Sequence, residues 1–271
     1  MEFIMQYFAG LFDAEGYVSL VPNGAFTIAV EMANENICLL FQDTFGGSIY
    51  IRKRDNRKQT WIWKINSISD QALNFINKIS SFSITKYAQL IKLRDYLDQP
   101  KKDRKLTRAI TCNTIKALKQ PLLKIPSTIP RIEKSIEPYF FEWLAGFLDG
   151  DGNFVCNQYV DNRNNKKYFA HQISVANIFI ESICFINDRI QGCISDLNRT
   201  KNPLYKWTCN RNNEKFVCKS IRPFLKIKSS QCDLFLEFLE FPRKPYGIGY
   251  STKDLENMYR IINQIKHLNS L

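Results

Sequence analysis

The sequence has no run of 18 apolar residues, so nothing in it reads as a membrane-spanning helix. It holds only two histidines, His171 and His267, which disfavours a histidine-built metal centre or a histidine-centred triad. None of its eight cysteines falls in a C-x-x-C pair, so zinc-binding spacing is absent. Several of them (Cys38, Cys184, Cys218) sit in apolar runs and read as reduced, buried thiols of an intracellular protein. The first residues, MEFIMQYFAG, lack a basic leader and do not read as a secretory signal. Acids are in deficit: 26 Asp and Glu against 38 Lys and Arg give a net charge of +12. That excess points to a polyanion, either nucleic acid or an anionic surface. Abundant Lys, Asn, Ile and Phe are the usage of an AT-rich gene, a hint of chloroplast or mitochondrial coding. With 271 residues, 45% of them hydrophobic, the chain can bury one large core or two of ordinary size.

What is present is a duplication. FAGLFDAEG at 8–16 returns as LAGFLDGDG at 144–152, an offset of 136. Trp63-x-x-Asn66 matches Trp207-x-x-Asn210, and Phe82-x-x-x-Lys86-x-x-Gln89 matches Phe224-x-x-x-Lys228-x-x-Gln231, at offsets of 144 and 142. Three matches in one order imply a repeated unit of roughly 100 residues. The drift in offset implies insertion in the second copy, placed in the polar stretch YVDNRNNKKY, 159–168. Periodicity reads α-β-β-α-β-β-α in each copy: helix 3–14, strands 17–21 and 25–32 about the turn Pro22-Asn23-Gly24, helix 35–45 stopped by Gly46-Gly47, strands 48–52 and 60–65, then helices 69–79 and 86–97. The second copy repeats this from 139, ending in two helices. The division is 1–97, a basic Pro-containing linker at 98–137 with a short helix in LTRAITCNTIKALK, and 138–271.

Ala9-Gly10 and Ala145-Gly146 put small residues on one face of each repeated helix, which lets two backbones meet. Gly16 and Gly152 stand where glycine usually stops a helix. Side by side, the helices would bring Glu15 and Asp151 together at their C-terminal tips, where free carbonyls add to the repulsion. A divalent cation would relieve it, and oxygen-only donors favour Mg²⁺ or Ca²⁺ over zinc. One such acidic tip could merely solubilise a helix end; its return in the second copy favours a site.

Strand alternation presents basic residues for phosphate and base edges. They are Arg52, Arg54, Arg57, Lys58 and Lys64 in the first half. In the second they are Arg163, Lys166 and Lys167 on one hairpin and Arg199, Lys201, Lys206 and Arg211 on the other. Arg52 and Arg54 should share the strand face turned to the polyanion, with Lys53 opposite.

The two nonapeptides resemble the LAGLIDADG motif, and the doubled motif with its αββαββ spacing resembles the monomeric, two-motif class of homing endonucleases over nearly the whole chain. PFLKIKSSQ, 223–231, resembles the matching stretch of the family's homodimeric algal chloroplast members. The resemblance implies an α+β fold: pseudo-twofold duplicated αββαββα units whose two four-stranded antiparallel sheets form a saddle on double-stranded DNA. It implies a monomer with no membrane or protein partner. It implies Glu15 and Asp151 as metal-binding acids, with carbonyl ligands from Ala14 and Gly150, and Asp13 and Asp149 as braces of the helix pair. It implies Lys86 and Lys228 as basic residues near the reacting phosphates, and Asn34 (in MAN) and Asn177 (in VAN) as water-positioning residues. The implied activity is Mg²⁺-dependent hydrolysis of one bond per strand, Ca²⁺ binding without supporting cleavage. An intron RNA maturase of the same fold stays open as an alternative, as does a non-catalytic DNA-binding regulator.

Overall fold

A computed structural model describes residues 3–55, 58–66, 68–121, 139–161, 166–197, 203–241 and 250–270, with backbone alone at 3, 161, 166 and 167. The first half runs α1 (Phe3–Glu15), β1 (Gly16–Leu20), β2 (Phe26–Met32), α2 (Glu35–Phe45), β3 (Ser48–Arg52), β4 (Thr60–Asn66), α3 (Ser69–Ile79), α4 (Tyr87–Leu97) and α5 (Lys101–Ala117). The second runs α6 (Phe140–Asp151), β5 (Gly152–Asp161), β6 (Lys166–Asn177), α7 (Ile180–Arg189), β7 (Gly192–Asp196), β8 (Tyr205–Cys209), α8 (Arg211–Ile221), α9 (Ser229–Leu239) and α10 (Thr252–Ser270). Two four-stranded antiparallel sheets result, with the same order, β1-β2-β4-β3 and β5-β6-β8-β7. This is the α+β duplicated architecture that the repeat implied.

Each sheet buries one face. Val18, Leu20, Ile28, Val30, Trp63 and Ile65 alternate inward under the helices of the first half. The repeated tryptophans, Trp63 and Trp207, are both fully buried, and Trp63 stacks among Phe41, Phe45 and Phe75.

The halves join through α1 and α6. A Cβ on Gly10 would lie 1.9 Å from the Trp143 carbonyl oxygen, and one on Gly146 would lie 2.0 Å from that of Tyr7. Only a bare Cα fits at either crossing point, so the small-residue reading of the seam holds. Gly16 and Gly152 do stand at the ends of the two motif helices, but without a left-handed turn. Gly152 has φ −78°, and Gly16 has no positive φ. Each strand instead starts directly at the glycine, because a Cβ there would strike the Phe12 or Leu148 carbonyl and side chain.

Three sequence readings change. The stretch 98–137 opens not as a linker with a short helix but with α5, 17 residues long, whose Cys112 and Ile115 are buried against the first half. Cys112 Sγ meets the Leu20 carbonyl at 2.9 Å, so α5 covers edge strand β1. The remainder, 122–137, lies outside the described residues. The polar stretch at 159–168 is largely strand: β5 and β6 stay paired from Gly152↔Val175 out to Asp161↔Lys166. Because β6 meets β8 only at Ser174–Asn177, the rest is a two-stranded ribbon that packs one face on α9 and α10 through Phe154, Phe169 and His171; its far end, with Tyr159, Val160 and Tyr168 exposed, tolerates the polar composition. Finally, the second half has a further helix, α10, that buries Met258, Ile261, Ile262 and Ile265 at helical spacing.

Candidate active site

The C-terminal tips of α1 and α6 carry the four motif acids, which divide into two kinds. Asp13 and Asp149 are fully buried. Asp13 accepts hydrogen bonds from Ser83 Oγ (2.6 Å), Ile84 N (2.6 Å), Thr85 N (3.1 Å) and Lys86 N (3.0 Å). Asp149 accepts from Lys226 N (2.7 Å), Ile227 N (3.1 Å) and Lys228 N (2.8 Å). Each acid also accepts from the opposite half: Trp143 Nε1 donates to Asp13 (3.0 Å), and the Tyr7 phenol Oη donates to Asp149 (2.7 Å). A carboxylate this well satisfied is a structural clamp. It ties each motif helix to the loop before α4 or α9, and to the other motif helix. Burial, then the Asp149 charge, pushes the Tyr7 phenol far above its ordinary range, so it stays a donor.

Glu15 and Asp151 are the other kind. Burial raises the Glu15 carboxyl; nearby Lys228 and Lys86 lower it again and Glu31 raises it. Asp151 is raised to about 7, first by burial and then by the Glu15 charge, against the pull of Asn177, Lys228 and Lys86. The two predicted metal-binding acids lie at one place: a Cβ on Gly150, next to Asp151, would come within 3.1 Å of Glu15 Cγ.

Lys86 and Lys228 both reach this centre. Each ammonium is held below its ordinary range by burial, while Asp151, Glu15 and the neighbouring clamp aspartate pull upward. Their positions differ. Lys228 Nζ donates to the carbonyls of Leu148 (2.7 Å), Gly150 (2.9 Å) and Gly152 (2.8 Å). Lys86 Nζ lies 4.4 Å from the centroid of the Phe179 ring, across the pseudo-dyad.

The paired asparagines are not equivalent. Asn177 donates from Nδ2 to Asp151 (2.6 Å) and accepts from Phe179 N (2.7 Å), so it orients the acid. Asn34 instead caps α2, accepting from Ile37 N at 3.4 Å. Register gives the reason: Asn177 pairs with Tyr205 where Met32 pairs with Trp61, so Met32 is the counterpart of Asn177, and Asn34 that of Phe179. Asn34 is thus withdrawn as a water-positioning residue.

The open sheet faces flank this centre. Register places Tyr17, Glu31, Tyr50, Arg52 and Lys64 on the first, and Asn157, Gln172, Ser195 and Lys206 on the second. Arg52 and Arg54 do share a side, since both bond Glu31 (2.6 and 3.0 Å). Lys64 Nζ sits 4.7 Å from the Tyr50 ring centroid. Lys58 turns instead to the Ser270 carbonyl at the end of α10. Arg211 opens α8, on the helical side of its sheet, beside a cavity with Phe169, His171 and Tyr250, and so not on the open sheet face. Lys166 and Lys167 lie on β6, with side chains outside the description. Arg57, Arg163, Arg199 and Lys201 lie outside the described residues. Glu31 and Phe179 went unnoticed in the sequence, as did the cross-half donors Tyr7 and Trp143; only the matched offset of Tyr7 and Trp143 could have signalled them.

No family model and no curated protein sequence matches the chain. Solved structures do. The meganuclease I-SmaMI bound to uncleaveable DNA superposes with TM-score 0.68 at 17% identity, over 96% of this chain and 97% of that one. I-SmaMI, described as a LAGLIDADG homing endonuclease, bound to cleaved DNA gives 0.64 at 17%, over 97% and 95%. The LAGLIDADG meganuclease I-AabMI bound to uncleaved DNA gives 0.65 at 13%, over 97% of both chains. With a motif helix, a four-stranded sheet and a clamp aspartate in each half, the chain has the LAGLIDADG homing-endonuclease fold.

Proposed function

We propose that the protein is a site-specific endonuclease that hydrolyses one phosphodiester bond in each strand of a long, asymmetric DNA target. The observation that carries this is the crowding of Glu15 and Asp151 at paired helix tips, with Asp151 held up to about 7. Two carboxylates that resist ionising together are a site for a cation. The donors are oxygens only, which suits Mg²⁺ or Ca²⁺. The carbonyls of Leu148, Gly150 and Gly152 already hold the Lys228 ammonium, so they accept positive charge. Among the described residues no cluster of three or more His, Cys, Asp or Glu could enclose an ion, so water and a phosphate oxygen must complete the shell. That incompleteness suits a catalytic site better than a structural one. I-SmaMI has also been crystallised on uncleaved DNA in the presence of calcium ions.

Glu15 and Asp151 would hold the metal, with the carbonyl of Ala14 and, once Lys228 yields it, that of Gly150. A bound Mg²⁺ supplies polarisation of the scissile phosphate and a more acidic water. The chain's own residues do the rest. Asn177 fixes the Asp151 carboxylate. Asp13 and Asp149 fix the helix tips and the loops carrying Lys86 and Lys228. Lys86, buried and lacking a carboxylate bond, stabilises charge that develops on the phosphate. The open sheet faces bind and orient the duplex, and the protein acts as a monomer because the second half supplies what a partner would.

The test begins with a randomised duplex library selected for binding. A selected sequence in a plasmid should be linearised by wild type in Mg²⁺ and bound intact in Ca²⁺. Glu15→Gln and Asp151→Asn should bind it without linearising it. Linearisation by Asp151→Asn at the wild-type rate would remove that acid from the chemistry, and tight binding of intron RNA with no DNA nicking would favour the maturase.

A further inference from the structure

Glu31 is the one acid among the described side chains that register places on either open sheet face. A carboxylate facing a polyanion opposes binding, so its presence there needs a cause. Its contacts supply one. Glu31 Oε2 accepts from Arg52 Nη1 at 2.6 Å, and Oε1 accepts from Arg54 Nη2 at 3.0 Å and from Thr60 Oγ1 at 2.7 Å. One side chain on β2 thus gathers two arginines from the end of β3 and a hydroxyl from the start of β4. The arginines stay about four-tenths exposed (43% and 42%), so their remaining donors face outward.

We infer that Glu31 is a specificity-determining residue: it fixes Arg52 and Arg54 as guanine readers in the first half-site. The inference rests on the DNA-binding reading above. An untethered arginine on a sheet rim sweeps many rotamers and finds phosphate, which carries no sequence information. Tied by one edge to a carboxylate, the same guanidinium presents its other edge in a fixed plane, suited to the paired acceptors O6 and N7 of guanine. Two arginines on one acid also retain only one net positive charge, which trades non-specific attraction for selectivity. Register confines the device to one half. The counterpart of Glu31 is Ala176, and that of Arg52 is Leu197, so among the described residues the second sheet has no such acid–arginine group. Glu31 follows Val30, the partner of Gly16, and its charge is felt by Glu15. The guanines read should therefore lie on the side of the half-site nearest the cleavage centre.

The experiment selects the randomised duplex library with wild type, Glu31→Gln, Glu31→Ala and Arg52→Lys, with thermal unfolding as the check on folding. Wild type should enrich guanine at positions within one half-site. Both Glu31 variants should lose that preference by roughly tenfold or more at those positions, keep the preferences of the other half-site, and bind random duplex more tightly. Arg52→Lys should lose the preference without gaining affinity for random duplex. Folded Glu31 variants that keep the guanine preference would overturn the inference alone. Failure of wild type to enrich any sequence would overturn the DNA-binding reading and the inference with it.

Discussion

Asp151→Asn should stabilise the DNA-free, metal-free protein, by an amount that depends on pH. In the folded chain the Asp151 carboxyl is raised from 3.8 to about 7 by burial and by the Glu15 charge. The folded state therefore holds this proton more tightly than the unfolded state does. Ionising Asp151 costs nothing below pH 3.8, costs progressively more up to about 7, and costs a constant amount above it. The full cost is about 4 kcal/mol; because Glu15 takes up part of the shared proton, about 2–4 kcal/mol should be recovered by the amide. An asparagine also leaves Asn177 Nδ2 an oxygen to donate to. Urea unfolding at pH 8 and pH 4 measures the difference, which should be large at the first and vanish at the second. Adding Mg²⁺ at pH 8 should stabilise wild type, by about 2.7 kcal/mol at a hundredfold excess over Kd, and leave Asp151→Asn unmoved. A variant no more stable than wild type at pH 8 without metal would refute the crowded-carboxylate reasoning.

Gly10→Ala should cost more than the roughly 1–3 kcal/mol of ordinary overpacking, since its Cβ would meet backbone at 1.9 Å; chemical unfolding would check it, and a neutral change would mean that α1 and α6 can separate freely. Asp13→Ala strands Trp143 Nε1 and the donors at 83–86, a loss of about 3–5 kcal/mol, whereas Glu15→Ala should not destabilise at all. Lys206→Ala, on the open face of the second sheet, should weaken binding to all sequences alike and reduce the log–log salt slope by about 0.9 if it meets phosphate, as titrations at several salt concentrations will show.

How much of this was legible in the sequence depended on what kind of signal each residue leaves. Gly10, Gly146, Glu15 and Asp151 announced themselves because the duplication repeats them at one offset. Trp63 and Trp207, and Lys86 and Lys228, were found the same way, and occupy matched places. The Asn34 reading failed because MAN and VAN match as strings but not in register: the ladder sets Met32, not Asn34, in the place that Asn177 holds in the second half. A string carries no register. The strands of the second hairpin were read, but their last residues, at 159–161 and 166–168, passed for a loop because the polar composition there lacks the apolar alternation that marks a strand. The charged run at 101–105 hid the first turn of α5, whose buried stripe, Thr111, Cys112 and Ile115, lies wholly inside the stretch that reads as a short helix. Glu31 left no mark, since an acid in an alternating strand reads as an ordinary solvent-facing residue until its arginine partners are seen.

The most direct test of the paired-acid centre is to map both strand ends of a selected duplex after incubation with Mg²⁺. Wild type should leave one cut on each strand, at fixed, staggered positions, and the Glu15→Gln, Asp151→Asn double variant should leave both strands intact while still bound. The same two cuts from the double variant, at the same positions and rate, would contradict the assignment of the chemistry to the tips of α1 and α6.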